Sequence, residues 1–439
     1  MLQWFLFSLF LLVTISFFGM VTLPKKFFRN QSLLIFVFGF AIRILCMFLS
    51  PIWEDDWSRY LWEGNLIRNG ESPYETTPLT HFQNPNISEN EIEVLSQINH
   101  PDWTTIYSPF VLLFFALFSV DFSGFFLKFS YLFLETFSFL FFSKGKFTKP
   151  MLLYWTFPIL IKEVYVNYHF EVLVISLSLV SFQLIKEKKQ YLASFVLGLG
   201  VHIKIFSLLY TLFLISSFEF KEWKKNLVTW IQIILTFCIG FFVFYLIYYI
   251  LFPNTFDFGV SNLLKFGAYF KFNQFYEPFW KLFGTVDLKV FPFLLQLLTM
   301  TVYVLIALEK KNRFQKFKQI ILHYEFYFLY SYLFLCLLPV NNPWYFLILV
   351  PILVTNPSRT ILPWVLIAIP QLSYLTKIRL GLEFTYFYEI PDQILLMEAT
   401  VSLFCLALYF KQIFILLYKL SNISNISPKG SIGYGNRNR

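Results

Sequence analysis

Two adjacent carboxylates, Asp55 and Asp56, stand one helical turn before Arg59, and Glu63 follows Arg59 by another turn. A carboxylate in this setting can act as a general base. A hydroxyl is a poor nucleophile at neutral pH, and a group that accepts its proton as the new bond forms speeds transfer by about 10²- to 10⁴-fold. The same pattern has plainer uses: a solvated face whose ion pairs contribute roughly a few tenths of a kcal/mol, or a helix cap worth about 1 kcal/mol that Asn would largely keep. Asp55 and Asp56 could also coordinate Mg²⁺ or Mn²⁺, although two carboxylates without further oxygen ligands make a weak site.

A second set of groups is notable for where it lies. Arg43, Lys128, Glu135, Lys162, Glu163, His169, Glu171, His202 and Lys204 all fall inside apolar stretches, where each costs about 2.5 to 3.5 kcal/mol near a bilayer centre. Something must offset that cost. For Arg43, Lys128 and Glu135 a snorkelling or interhelical pair stands beside a functional role. Lys162, Glu163, His169 and Glu171 crowd within ten positions, which points to a water-filled cavity. Lys acts as a point charge and Arg as a planar fork for phosphate oxygens. Arg59, Lys162 and Lys204 are therefore the candidates for holding a phosphate.

The elements that position these residues follow from composition. The 439 residues are 57% hydrophobic, 22% aromatic and only 14% charged, whereas a soluble globule carries about 25% charged residues. The apolar runs are about 18 residues or longer and lack period-two alternation, so they read as spanning helices rather than barrel strands. Cys46, Cys238, Cys336 and Cys405 show no metal-ligand spacing and no disulfide framework. The net charge of +9 comes from short basic clusters between spans, the positive-inside pattern, and not from a nucleic-acid surface. The clusters are Lys25 to Arg29, Lys144 to Lys149, Lys186 to Lys189, Lys221 to Lys225, Glu309 to Lys318, Arg359 and the Lys429, Arg437 and Arg439 tail. They are assigned to the cytoplasm. Leu2 to Leu23 reads as a retained helix, lacking a basic n-region and a cleavage site.

Between Glu54 and Pro109 lies the one long polar passage, with ten acidic residues against Arg59 and Arg68. It is expected on the outer side. Trp53, Trp57, Tyr60, Leu61 and Ile67 recur at helical spacing and Asn69-Gly70 supplies a stop, so Glu54 to Arg68 is expected as an interfacial helix with its aromatic stripe toward lipid. Pro109 to Val120 is short for a span of roughly 20 residues and is expected to re-enter or lie at the interface. Tyr191 to Phe218 is interrupted by Gly198, Gly200, His202 and Lys204, as two half-helices meeting near Lys204 would be. The fold expected is an all-α polytopic membrane protein of about eleven to thirteen hydrophobic helices with one large outer loop at 51–107. It forms a single membrane domain over 1–420, followed by a short polar cytoplasmic tail at 421–439.

The motifs carry a resemblance. Asp55-Asp56-x-x-Arg59-Tyr60-x-Trp62-Glu63-Gly64, Gly70-x-x-Pro73-Tyr74, Ile98-Asn99-His100-Pro101 and Thr105-Ile106-Tyr107-x-Pro109 resemble the first outer loop of bacterial multi-pass mannosyltransferase-like proteins of the GT-C glycosyltransferase superfamily. Further on, Phe157-Pro158-Ile159-x-x-Lys162-Glu163 through His169-x-Glu171, Gly198-Leu199-Gly200-x-x-x-Lys204, Phe272-Asn273 and Asn342-Pro343-Trp344-Tyr345 are similar to later signatures of that family. The likeness covers roughly Arg43 to Pro351. Three positions depart from it: Glu171 stands where Asp is usual, Phe157 where Asn is usual, and Ser108 where a second Pro is common.

The resemblance implies a polyprenyl-phosphate sugar as donor and an outer-loop carboxylate as base. Asp56 is the first choice and Asp55 the alternate. It further implies that Glu63, His100, Tyr107, His169, Glu171, Asn273 and Trp344 lie at the substrates. Physical reasoning points the same way, because a nucleotide-sugar enzyme needs a folded domain of about 100 residues or more and a donor dissolved in the bilayer does not. The expected activity is inverting transfer of a hexose such as mannose to a glycan, glycolipid or protein acceptor at the outer face of a bacterial plasma membrane. The alternative is a transporter or flippase of lipid-linked sugars, which would share the buried charges but more often shows repeat symmetry. A non-enzymatic scaffold in envelope assembly is a third reading.

Overall fold

The computed structural model describes residues 2–84, 87–120, 122–211, 227–274, 298, 301, 324–338, 340–355, 360–376 and 389–423. Among these residues every regular element is helical, and the one extended pairing is a bridge between Phe272 and Val340. The chain begins with α1 (Leu2–Thr22), α2 (Lys25–Asn30) and α3 (Ser32–Met47), then enters the polar loop with α4 (Asp56–Arg68), α5 (Pro78–His81) and α6 (Glu89–Ser96). It continues through α7 (Pro109–Phe118), α8 (Phe125–Ser143), α9 (Lys149–Trp155), α10 (Pro158–Ile161), α11 (Glu171–Lys186) and α12 (Gln190–Ile203). The later helices are α13 (Leu227–Leu251), α14 (Val260–Tyr269), α15 (Tyr324–Cys336), α16 (Val350–Thr355), α17 (Leu362–Ala368) and α18 (Asp392–Ile423).

Three of these are long and apolar enough to cross a membrane: Phe125–Ser143, Leu227–Leu251 and Asp392–Ile415. Their outward faces expose large apolar side chains such as Phe133, Ile250 and Phe404, a surface that suits lipid better than water. The basic stretches Lys221 to Lys225, Glu309 to Lys318 and Arg359, the tail 424–439 and the parts of the expected segments Tyr191 to Phe218, Pro253 to Lys289 and Arg379 to Asp392 at 212–218, 275–289 and 379–388 lie outside the described residues.

Helix breaks occur where backbone chemistry demands them. Pro158 lacks an amide proton and disfavours a helical residue before it, so Phe157 turns extended at φ −69° and ψ 112° between α9 and α10. A π-helical turn, Lys162–Val166, follows directly. Asn342 is likewise extended before Pro343, which starts a 3₁₀ helix, Pro343–Leu349. At Lys204, φ −150° and ψ 115° end α12, and a 3₁₀ helix, Ile205–Tyr210, continues the chain. The expected break near Lys204 is present. α7 spans ten residues, a rise of about 15 Å, half of what the hydrocarbon layer requires.

The expected interfacial helix is different from α4 in its surroundings. Tyr60, Leu61, Trp62 and Leu66 are buried, so the aromatic stripe packs into the protein and does not face lipid. The cause is the close approach of α7: a Cβ on Gly64 would stand 2.7 Å from the Phe115 carbonyl, and only glycine lets the two backbones meet there. Gly198 and Gly240 do the same for α12 and α13, since a Cβ on either would collide with the carbonyl oxygen of Phe237 or of Phe195 across the crossing.

Arg43 and Glu135 are fully buried and form a two-pronged pair, Nε to Oε2 at 2.8 Å and Nη2 to Oε1 at 2.8 Å. Tyr165 donates to the same carboxylate, Arg43 donates to the carbonyls of Gly39 and Trp155, and the Trp155 ring lies 3.9 Å from the guanidinium. Lys128 donates to the Leu49 carbonyl at 2.9 Å and the Met47 carbonyl at 3.3 Å, closing the end of α3. All three groups are thus interhelical ties. Removing one charge of a buried pair costs about 3 to 5 kcal/mol because the other is left uncompensated. Glu135→Gln should therefore lower the thermal melting temperature of the detergent-purified protein sharply, and Arg43→Met combined with Glu135→Leu should recover most of the loss; equal melting of parent and Glu135→Gln would remove this pair from the stabilising set.

Candidate active site

α4 starts at the rim of a cavity of about 740 Å³. Asp55 occupies the N-cap position, yet its side chain makes no cap hydrogen bond. Its Oδ1 instead accepts from Asn99 Nδ2 at 3.0 Å, and Asp56 Oδ1 accepts from the same nitrogen at 3.1 Å. Carboxylates only accept, so the amide orientation is unambiguous. One amide therefore spreads its two protons over the two acids.

Asn99 is itself held by Arg59. The guanidinium donates to the carbonyls of Asn99 at 2.8 Å, His100 at 3.0 Å and Trp103 at 3.3 Å, and to Glu63 Oε1 at 3.1 Å. Glu63 is buried and completes its bonding with the Thr105 hydroxyl at 2.8 Å. Arg59 lines the cavity, but both terminal nitrogens, and with them the fork expected to hold a phosphate, are committed to this clamp. His100 sits in the left-handed region at φ 47°, a conformation that costs about 1 to 3 kcal/mol in a non-glycine residue. The clamp on its carbonyl and the stacking of its ring on Trp103, 5.1 Å between centroids, hold it there.

Tyr107 and Trp344 also face the cavity. Tyr107 meets Tyr60 edge to face, and Trp344 stacks on His169 with centroids 3.8 Å apart. His169 itself lies behind this wall, its Nδ1 3.2 Å from the Tyr60 hydroxyl and its Nε2 3.6 Å from Glu163 Oε2. Lys162 lies deeper still. Its ammonium donates to Glu163 Oε1 at 2.8 Å and Gln371 Oε1 at 2.9 Å over the Tyr374 ring, and it does not line the cavity. A water-filled cavity is expected around Lys162, Glu163, His169 and Glu171; the first three instead form a packed network, closed by Asn167 and the Tyr374 hydroxyl on Glu163, while Glu171 pairs with Lys204. Lys162 is consequently a structural charge here.

Lys204 does reach the cavity, from the break after α12, and is paired with the buried Glu171 behind it. Asn273 is buried beside the bridge to Val340, donating to the Asn341 carbonyl at 3.2 Å, and lies outside the lining. Among the expected residues, then, Asp55, Asp56, Arg59, His100, Tyr107, Lys204 and Trp344 share one cavity. Glu63, Lys162, His169, Glu171 and Asn273 form its second layer.

Three participants had no assigned role: Asn99, Tyr60 and Glu54. Tyr60 brings its hydroxyl to 3.5 Å from Asp56 Oδ2 as well as to His169. Glu54, Asp55 and Asp56 each bring a carboxylate oxygen within 4.8 Å of the others. This all-oxygen set has the donor chemistry for a hard divalent cation such as Mg²⁺ or Mn²⁺, with Asn99 already engaging one oxygen on each Asp. The far side of the cavity is apolar, lined by Phe241, Tyr245, Leu263, Leu264 and Phe266.

Burial raises Asp56 from 3.8 to about 6, helped by the adjacent Asp55 charge and opposed by Asn99 and Arg59. Burial raises Glu63 to about 7 against the pull of Arg59 and Thr105. A raised carboxyl pKa means the folded state binds the proton more tightly than the unfolded chain, so ionised Asp56 costs stability. That cost is absent below about pH 4, grows as pH rises toward 6, and is constant above it. Asp56→Asn should therefore melt at a higher temperature than the parent at pH 8 and at the same temperature near pH 4; a pH-independent difference would show that Asp56 titrates normally.

No protein-family profile, curated protein or solved structure matches this chain.

Proposed function

We propose that this chain is a polytopic membrane glycosyltransferase of GT-C-like architecture that moves a hexose, such as mannose, from a polyprenyl phosphate to an acceptor hydroxyl at the outer face of the membrane. The observation that carries this reading is the composition of a single cavity. It joins a carboxylate poised near neutrality, Asp56, to an ammonium, Lys204, and to an apolar flank from α13 and α14. Those are the three needs of the reaction: a base, a counter-charge for phosphate and a place for an isoprenoid chain.

In the proposed step the acceptor hydroxyl lies against Asp56 and attacks the anomeric carbon from the face opposite the phosphate. The new C–O bond forms as the bond to the phosphate oxygen breaks, and the electron pair of the broken bond stays on the phosphate. The acceptor proton passes to Asp56, and the anomeric configuration inverts. A lipid phosphate leaves without protonation, so one base suffices where glycosidases add an acid. Tyr60 and Asn99 hold the Asp56 oxygens, and the stacked His100 and Trp103 rings offer a flat face at the polar end.

A transporter or flippase of lipid-linked sugars would use the same flank and ammonium. The Arg59 and Asn99 clamp favours the enzyme, because transport has no use for two acids held against one amide. Purified protein incubated with radiolabelled polyprenyl-phosphate sugars should release label from the lipid to acceptor. Asp56→Asn should cut turnover by at least about 100-fold while the protein still folds, and Lys204→Met should raise the donor KM. Near-parental turnover in both Asp56→Asn and Asp55→Asn would overturn the enzyme reading.

A further inference from the structure

Lys204 enters the cavity from a fixed backbone. Its amide donates to the Gly200 carbonyl at 3.0 Å, and its carbonyl accepts from the Ser207 amide and hydroxyl, each at 2.9 Å. The ammonium is paired with Glu171 Oε1 and lies over the Tyr345 ring, whose centroid is 4.0 Å away, with the Phe170 ring at 5.5 Å. Glu171 is the first residue of α11, buried and outside the cavity lining, and its Oε2 has no hydrogen-bond partner among the described residues.

The other basic side chains of the cavity are engaged elsewhere. Arg59 is bonded to Glu63 and three carbonyls, the His100 ring is stacked on Trp103 with its backbone held by Arg59, and His202 accepts the Phe110 amide proton at Nε2, so that nitrogen carries none of its own. An anion entering the cavity therefore meets an ammonium that already has a counter-ion at its back.

We propose that Glu171 is a positioning residue that holds the Lys204 ammonium at the cavity wall and, by sharing it, loosens the grip on the departing lipid phosphate. This rests on the donor reading above. The donor is a phosphodiester with one negative charge. The transfer step leaves the bonding electrons on the phosphate oxygen and sends the acceptor proton to Asp56, so the product is a phosphomonoester whose second ionisation lies near pH 6. The product thus carries almost one charge more than the donor at neutral pH. An ammonium without a counter-ion would discriminate in favour of that product and hold it. An ammonium shared with Glu171 discriminates less, because each added negative charge is opposed by the carboxylate behind it.

The test measures binding, not turnover, in protein reconstituted into nanodiscs, with polyprenyl phosphate and polyprenyl phosphohexose as probes. Glu171→Gln should tighten polyprenyl phosphate by about tenfold and the phosphohexose by less than about threefold. In a Lys204→Met background the buried Glu171 loses the counter-ion that keeps it ionised and takes up its proton, so the same change should alter neither affinity, closing a double-mutant cycle. Glu171→Asp, which keeps the charge, should retain the parental ratio of the two affinities and serves as the folded control if the Gln variant does not fold. Equal tightening of both probes, no tightening, an effect that persists without Lys204, or a Glu171→Asp ratio shifted toward the product would overturn the proposal. A parent that binds both probes while Glu171→Gln binds them equally well refutes Glu171's role alone; a parent that binds neither probe refutes the donor reading as well.

Discussion

Arg59 is the constraint on which the candidate site depends. A guanidinium presents five donors in a rigid fork, and here it closes on Glu63 within its own helix and on the carbonyls of Asn99, His100 and Trp103 in the segment 99–103. That segment has no regular structure of its own. By fixing the Asn99 and His100 carbonyls, the clamp aims the Asn99 amide at the two acids and sustains a left-handed histidine. Hydrogen bonds to a charged donor contribute about 1.5 to 3 kcal/mol each where neutral ones give about 1, so the loop is ordered chiefly by this one side chain. Remove it, and Glu63 becomes an unpaired buried acid as well.

Irregular backbone gathers around the cavity. The break at Lys204 and the 3₁₀ helix from Pro343 line the same space, and the π turn at Lys162–Val166 lies in the layer behind it. Each leaves backbone groups outside a helical ladder, which a lipid-facing segment could not tolerate. Apart from α4, the segments that bring Lys204 and Trp344 to the site are therefore irregular ones. The long apolar helices α8, α13 and α18 carry none of the clamp's groups.

Much of this was legible from residue types alone. The helical class, the shortness of 109–118 and the break at Lys204 follow from apolar run length and from Gly, His and Lys interrupting one run. The Arg43 and Glu135 tie was legible as one of two options. What could not be read was partnership across distance. Lys162 and Arg59 read as equally available for phosphate, and besides the nearby Glu163 and Glu63 each has a partner far along the chain, 209 residues away at Gln371 and 40 residues away at Asn99. The lipid-facing stripe assigned to α4 failed for a related reason: helical spacing marks an apolar face but not what covers it. Asn99 stood inside a recognised motif, yet an uncharged amide gives no signal of chemistry until the acids it bridges are seen.

The contact at Gly64 limits how such a site could diversify. Because α4 touches the α7 backbone with no side chain between them, the helix bearing the two acids cannot be shifted or tilted without rebuilding both elements. Under the proposed function, new acceptor shapes would have to be accommodated from the opposite wall. α14 supplies that wall with Leu263, Leu264 and Phe266, and its Leu264 and Tyr269 are largely exposed. Under the proposed function, chemistry and recognition would thus fall to parts of the chain that can change at very different rates: the helix α4, locked by Gly64, and α14, free to vary its apolar face.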